Sequence, residues 1–199
     1  MKTGYIAEHF TAHQRVVERS LEQLQEQAEE VARLLVKSLR EGHKIIAFGN
    51  GGSATQASHL VGELLGRFAV TRQPFPAIAL AGDMGTVTCI ANDFGYDALF
   101  ERQAQALAYP GDVAIGYTTS GRSENVKRGL RMAKERGAGT VAVTGAAGLV
   151  GGVADYVLAV PSDVTAHVQE VHLMLLHVWC IYIDEMLGEV QSQSEQGKD

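Results

Sequence analysis

From Lys44 onward, short apolar runs alternate with stretches of helical periodicity, and this alternation limits the fold more than any other feature of the chain. The runs Ile45–Gly49, Ala77–Leu80, Val113–Tyr117, Thr140–Thr144 and Tyr156–Val160 are short and mostly apolar, as expected of strands buried on both faces of a parallel sheet. Helices are predicted over 53–68, 96–108, 123–136 and 165–187. Strands and helices in alternation, joined by short connections, give an α/β fold: a three-layer αβα sandwich with a central five-stranded parallel sheet. Ligands bind such a sheet at the carboxyl ends of its strands. A long N-terminal helix, about residues 4–41, precedes this unit and ends at Gly42. Its Val17, Leu21, Leu24, Ala28, Val31 and Leu35 follow steps of four and three, which line one face of a helix. Something must cover that stripe, either the domain itself or a second subunit.

Composition narrows the class. The 199 residues suit one domain, with 1–41 as a packing or oligomerisation segment and 190–199 as a polar tail. A net charge of -6 argues against a general nucleic-acid or anionic-membrane binder and favours a small substrate. Only Cys89 and Cys180 are present, too few for a disulfide framework, and the N-terminus lacks the apolar segment of a signal peptide. No apolar run reaches the roughly 18 residues of a membrane span. A cytoplasmic protein is expected.

Two strand-to-helix junctions stand out. In the first, Phe48-Gly-Asn-Gly-Gly-Ser53 puts open backbone amides at a helix start, where partial positive charge suits a phosphate or a polyhydroxylated substrate. His59 and Glu63 follow, four residues apart and therefore on one helical face. In the second, Thr118-Thr-Ser-Gly-Arg-Ser123 offers hydroxyls that can surround phosphate oxygens. Such residues also cap helices routinely. Their place after a strand, beside a second glycine loop, favours phosphate. The first loop lacks the lysine of a P-loop, and Gly49-Asn-Gly51-Gly52 lacks the glycine spacing of a dinucleotide fingerprint, so no nucleotide cofactor is expected.

The last helix is apolar apart from a few residues, so Gln169 and His177 need partners or a task. Taken singly, each reads as a satisfied core residue. Joined with His59 and Glu63 they supply two imidazoles, a carboxylate and an amide oxygen, acceptable donors for zinc or a similar divalent ion. Eight residues separate Gln169 from His177, about 12 Å along a straight helix and roughly 80° around it. Either both side chains converge over nearly their full length, or one site draws ligands from different subunits.

Five motifs in order, Asn50-Gly-Gly-Ser, His59-x3-Glu63, Asn92-Asp93-Phe-Gly, Thr118-Thr-Ser-Gly-x-Ser123 and Gln169-Glu-x-His-x4-His177, together resemble the phosphoheptose isomerases of the sugar isomerase (SIS) domain group. The resemblance covers nearly the whole chain. It implies conversion of sedoheptulose 7-phosphate into D-glycero-D-manno-heptose 7-phosphate, a homotetramer with active sites between subunits, and bound zinc. Carried over by position, the zinc ligands are His59, Glu63, Gln169 and His177. The substrate contacts are Asn50, Gly51, Gly52, Ser53, Glu63, Asn92, Asp93, Thr118, Thr119, Ser120, Ser123 and Gln169.

Moving a carbonyl between C2 and C1 needs a base for a carbon-bound proton, an acid for the oxygen and stabilisation of the enediolate. Glu63 and His177 are the catalytic pair this implies, with either order of roles. Arg122 stands where the family usually has Asn, Thr118 replaces a common serine, Ala166 an acidic residue and Gln56 a frequent aspartate. A sister SIS group that lacks the acid–base pair binds a replication initiator without catalysis; the presence of Glu63 and His177 favours an enzyme. An isomerase of another phosphosugar is the remaining alternative.

Overall fold

In the computed structural model, which describes residues 4–149 and 151–188, the five apolar runs form one parallel sheet. Its strands are β1 (Ile45–Gly49), β2 (Ala77–Ala79), β3 (Val113–Thr118), β4 (Gly139–Thr144) and β5 (Tyr156–Ala159), in the order β2-β1-β3-β4-β5. Every residue of β1 and β3 is buried, which is why these runs read as continuously apolar. The edge strands β2 and β5 are only partly covered.

Alternate residues of each strand feed two cores. Ile45, Ala47, Ile115, Tyr117, Val141 and Val143 join the core shared with α1 (Tyr5–Arg40), α2 (Gly52–Leu65) and α6 (Thr165–Leu187). Ile46, Phe48, Ala114 and Ala142 join the opposite core, with α4 (Leu99–Leu107) and α5 (Glu124–Glu135). Burying a side chain such as Phe48 or Ile115 contributes about 1.5–3 kcal/mol. The helix after β1 therefore lies on one face and the helix after β3 on the other. The chain reverses between two neighbouring strands, and the crevice at such a switch point is where open α/β sheets bind ligands.

Helix α1 has no glycine or proline between Tyr5 and Arg40. It stops in a Schellman turn: Gly42 takes φ 81°, and the amides of Gly42 and His43 donate to the Leu39 and Ser38 carbonyls at 3.1 and 3.0 Å. Val31 and Leu35 from the predicted stripe are fully buried, whereas Leu21 is 63% exposed. Leu21 lines an apolar groove between α1 and α6, opposite Met174 and Val178.

One element was not predicted. Met84–Phe94 forms α3, followed by a 3-10 turn over Tyr96–Ala98. Its Gly85, Thr86, Val87 and Thr88 are poor helix formers. What starts it is Asp83, whose carboxylate accepts the amides of Gly85 and Thr86 at 3.2 and 3.0 Å and bonds the Thr86 hydroxyl. These bonds, the hydroxyl first, hold the Asp83 pKa below its ordinary value. The polar tail lies outside the described residues.

Candidate active site

The glycine turn after β1 is shaped by steric need. Gly51 sits at φ 56°, a left-handed conformation that favours glycine. A Cβ on Gly49 would meet the Tyr117 carbonyl of the neighbouring strand at 2.8 Å, so only glycine lets the strand pass into the turn. Ser53, buried in the first turn of α2, donates its amide to the Asn50 carbonyl at 3.0 Å.

The second loop follows β3, the adjacent strand. Ser123 occupies the N-cap of α5 but makes no capping bond with its side chain; its hydroxyl meets that of Thr118 at 3.2 Å. The routine use of a serine at this place is therefore not made, and the hydroxyl stays with the loop. Thr118 is buried, Thr119 and Ser123 are half-buried and Ser120 is exposed, its oxygen accepting the Arg122 amide at 3.2 Å.

A residue that sequence reasoning missed joins the two loops. Asn50 and Asn125 exchange amide bonds, Nδ2 of each donating to Oδ1 of the other at 2.9 and 2.8 Å. Asn125 is buried, and removing a buried amide would strand its partner at about 1–3 kcal/mol. The Tyr96 hydroxyl donates to Asn50 as well, at 2.8 Å, bringing in the turn after α3. Asn125 stands two residues after Ser123 at a helix start, where an amide reads as an ordinary cap. Asn92 and Asp93, on α3, are exposed and bond each other at 2.7 Å rather than touching either loop.

Helices α2 and α6 run side by side in the same direction, and successive turns meet successive partners. Gln169 lies against Gly52, and its carbonyl accepts the Gln56 amide at 2.5 Å. One stage further on, His177 Nε2 lies 3.4 Å from His59 Nε2, which in turn lies 2.9 Å from Glu63 Oε1. The ligand atoms of His59, Glu63 and His177 all fall within 4.8 Å of one another. Three of the four side chains singled out for a metal thus converge, while the amide of Gln169 sits beside the glycine turn. Two imidazoles and a carboxylate are a donor set that suits zinc, so the residues present fit such an ion. Phe68 packs on the His177 ring at 5.5 Å between centroids.

Behind this group lies a fixed support. Asp184 and Arg72, both buried, pair at 2.7 Å, and Asp184 also accepts the amides of Ala69 and Val70 at 2.9 and 3.2 Å. Burial pushes the Asp184 pKa up, but the Arg72 bond and the two amides outweigh it and hold the carboxyl below its usual range. Arg72 donates onward to the Leu64 and Glu63 carbonyls at 3.1 and 3.0 Å, closing the end of α2. Cys180 is buried and its thiol is pushed up to about 12, by burial first and then by the Glu63 charge, so it is no nucleophile.

Other histidines lie outside this group. His172 is fully buried, and its Nε2 lies 3.2 Å from the Thr144 carbonyl. His167 is 7% exposed, and His9 and His13 face Glu170 at 2.8 and 2.9 Å. Arg67 lies beyond the end of α2 and donates to the Thr71 hydroxyl at 3.4 Å.

Comparison with known proteins agrees with this fold. Residues 8–145 match the SIS domain family. The phosphoheptose isomerase of Aquifex aeolicus is 49% identical over 82% of this chain and 86% of its own. Solved phosphoheptose isomerases from Francisella tularensis and Neisseria gonorrhoeae superpose with TM-scores of 0.87 and 0.82, at 32% and 36% identity. The first match covers 93% of this chain and 100% of the other, the second 90% and 97%. Matched over most of its length by sequence and by fold, this chain belongs to the SIS domain family and, within it, to the phosphoheptose isomerases.

Proposed function

We propose that this chain is an aldose–ketose isomerase that converts sedoheptulose 7-phosphate into D-glycero-D-manno-heptose 7-phosphate, a step towards heptose for cell-surface glycans. The observation that carries the reading is the approach of the Glu63 carboxylate and the His177 imidazole to within 4.8 Å, on neighbouring helices beside two loops suited to a phosphosugar.

Glu63, as base, takes the proton from C1 while His177 gives one to the C2 oxygen, leaving an enediol. The C1 hydroxyl then returns its proton to His177 as C2 is protonated by Glu63, and the carbonyl stands at C1. The half-exposed positions of both side chains leave them open to substrate. Thr118, Thr119, Ser120 and Ser123 hold the phosphate at the start of α5, where backbone amides favour an anion. Asn50, Gly51, Gly52, Ser53 and Gln169 border the sugar, and Asn92 and Asp93, exposed on α3, complete the substrate contacts. His59, Glu63 and His177 would hold zinc, with Gln169 as a fourth donor reaching it from the same chain or from a neighbouring subunit. When bound, zinc polarises the carbonyl as a Lewis acid.

The enzyme works as a homotetramer in the cytoplasm, with its sites between subunits. The apolar groove of Leu21, Met174 and Val178 supports that assembly, since such a surface is ordinarily covered. Among the described residues, no helix is long and apolar enough to cross a membrane.

Incubating purified protein with sedoheptulose 7-phosphate and following the aldose phosphate tests the reaction, and a panel of other ketose phosphates tests its range. The heptose phosphate should be turned over fastest. A protein that leaves every member of the panel unchanged would sink the proposal.

A further inference from the structure

A second group of imidazoles gathers where α1 meets the start of α6. His9 and His13 stand four apart on α1, and His167 and Glu170 three apart on α6, so each pair shares a helical face. Glu170 reaches both α1 histidines: Oε1 lies 2.8 Å from His9 Nε2, and Oε2 lies 2.9 Å from His13 Nδ1. The His167 ring sits 4.8 Å from that of His9 and 5.8 Å from that of His13. One ligand atom each from His9, His167 and Glu170 falls within 4.8 Å of the others.

Ion pairing alone leaves this group incompletely satisfied. His13 Nδ1 and Glu170 Oε2 are buried and close, yet they do not meet at a hydrogen-bonding angle and have no other partner. The His167 residue is 7% exposed, and its ring packs against those of His9 and His13. Buried polar atoms left like His13 Nδ1 and Glu170 Oε2 cost about 1–3 kcal/mol each. A cation among them would meet all of these needs at once.

We propose that His9, His13, His167 and Glu170 form a second divalent-metal site, which clips α1 to α6. Three imidazoles and one carboxylate favour zinc or a similar borderline ion such as cobalt or nickel over magnesium or calcium, which prefer oxygen. Glu170 and His177 lie seven residues apart on α6, about 10 Å along its axis, so the two groups are separate sites. The clip draws on the N-terminal helix, which contributes nothing to the His59, Glu63 and His177 group.

Counting ions tests this without reference to turnover. Metal-stripped protein is loaded with zinc and desalted, and the retained zinc per chain is measured by mass spectrometry. The wild type should hold one equivalent more than the double variant His9→Asn with His13→Asn. His177→Asn should keep the α1–α6 ion, and zinc should raise its thermal midpoint by several degrees. Glu170→Gln keeps the side-chain shape, so it guards against misfolding; it should weaken zinc binding at the clip at least tenfold. Equal zinc content in the wild type and a folded double variant, with unchanged affinity in Glu170→Gln, would overturn the site. Isomerase activity enters none of these readings, so the clip and the proposed reaction can fail separately.

Discussion

His172 and His177 lie five residues apart on α6, yet they belong to different environments. His172 is buried against the Tyr117 ring, and burial pushes its pKa down to about 4, against the lesser opposing effect of its bond to the Thr144 carbonyl. It stays neutral at ordinary pH. His177 is half-buried beside His59 and Glu63, where a substrate can reach it. Asp184, locked to Arg72, and Cys180, a thiol kept protonated, are buried on α6 as well. The buried positions of the helix hold, and the half-exposed His177 is placed to react. Residue type alone does not distinguish them; solvent and neighbours do.

Substitutions at buried and at half-exposed positions should separate these roles. The largest effect is expected in the half-exposed group that His177 joins: Glu63→Gln should cut turnover by about 10²–10⁴-fold with the unfolding midpoint nearly unchanged. Steady-state kinetics beside a urea melt reads both, and a large stability loss would erase the contrast. Among the buried positions, Asp184→Ala leaves the Arg72 guanidinium without its counter-charge and should cost about 3–5 kcal/mol in equilibrium unfolding.

His172 gives a smaller effect that depends on pH. Its folded pKa lies below the ordinary 6.5, so the folded state resists protonation. The stability it protects is whole above pH 6.5 and is lost as pH falls towards 4. Between pH 7 and 5 this amounts to about 2 kcal/mol, a sensitivity that His172→Gln should remove. Urea melts at the two pH values would show it; equal slopes in variant and wild type would place the acid sensitivity elsewhere. The smallest effect is expected at Arg122, exposed beside the hydroxyl loop. Arg122→Asn should raise KM roughly two- to fivefold with kcat held, since an exposed charge contributes little.

Much of this was legible in the chain because it rests on local pattern. The strands announced themselves because burial on both faces leaves no room for polar alternation in β1 and β3. The His59–Glu63 pair follows from helical spacing, and the 2.9 Å contact is what four residues on one turn allow. Helix α3 was hidden because its residues favour other conformations and only the Asp83 cap starts it. Asn125 was hidden for another reason: its partner Asn50 is 75 residues away, and no local period encodes that meeting. The same holds for Glu170 with His9, 161 residues apart. Gln169 and His177 fall at different stages along α2 because two parallel helices advance together, a relation visible only once both are placed.

The mutual amide bonds of Asn50 and Asn125 have a consequence for substrate choice. Neither loop can slide without breaking both, so the hydroxyl loop and the start of the helix bearing Glu63 keep a constant separation, like the jaws of fixed calipers. If the hydroxyl loop seats the anion as proposed, a sugar phosphate would be sorted by its length: a ketose one carbon shorter would leave its carbonyl short of the carboxylate. Competition between seven-carbon and six-carbon ketose phosphates measures that gap directly, and Asn125→Ala, by loosening the jaws, should narrow the preference.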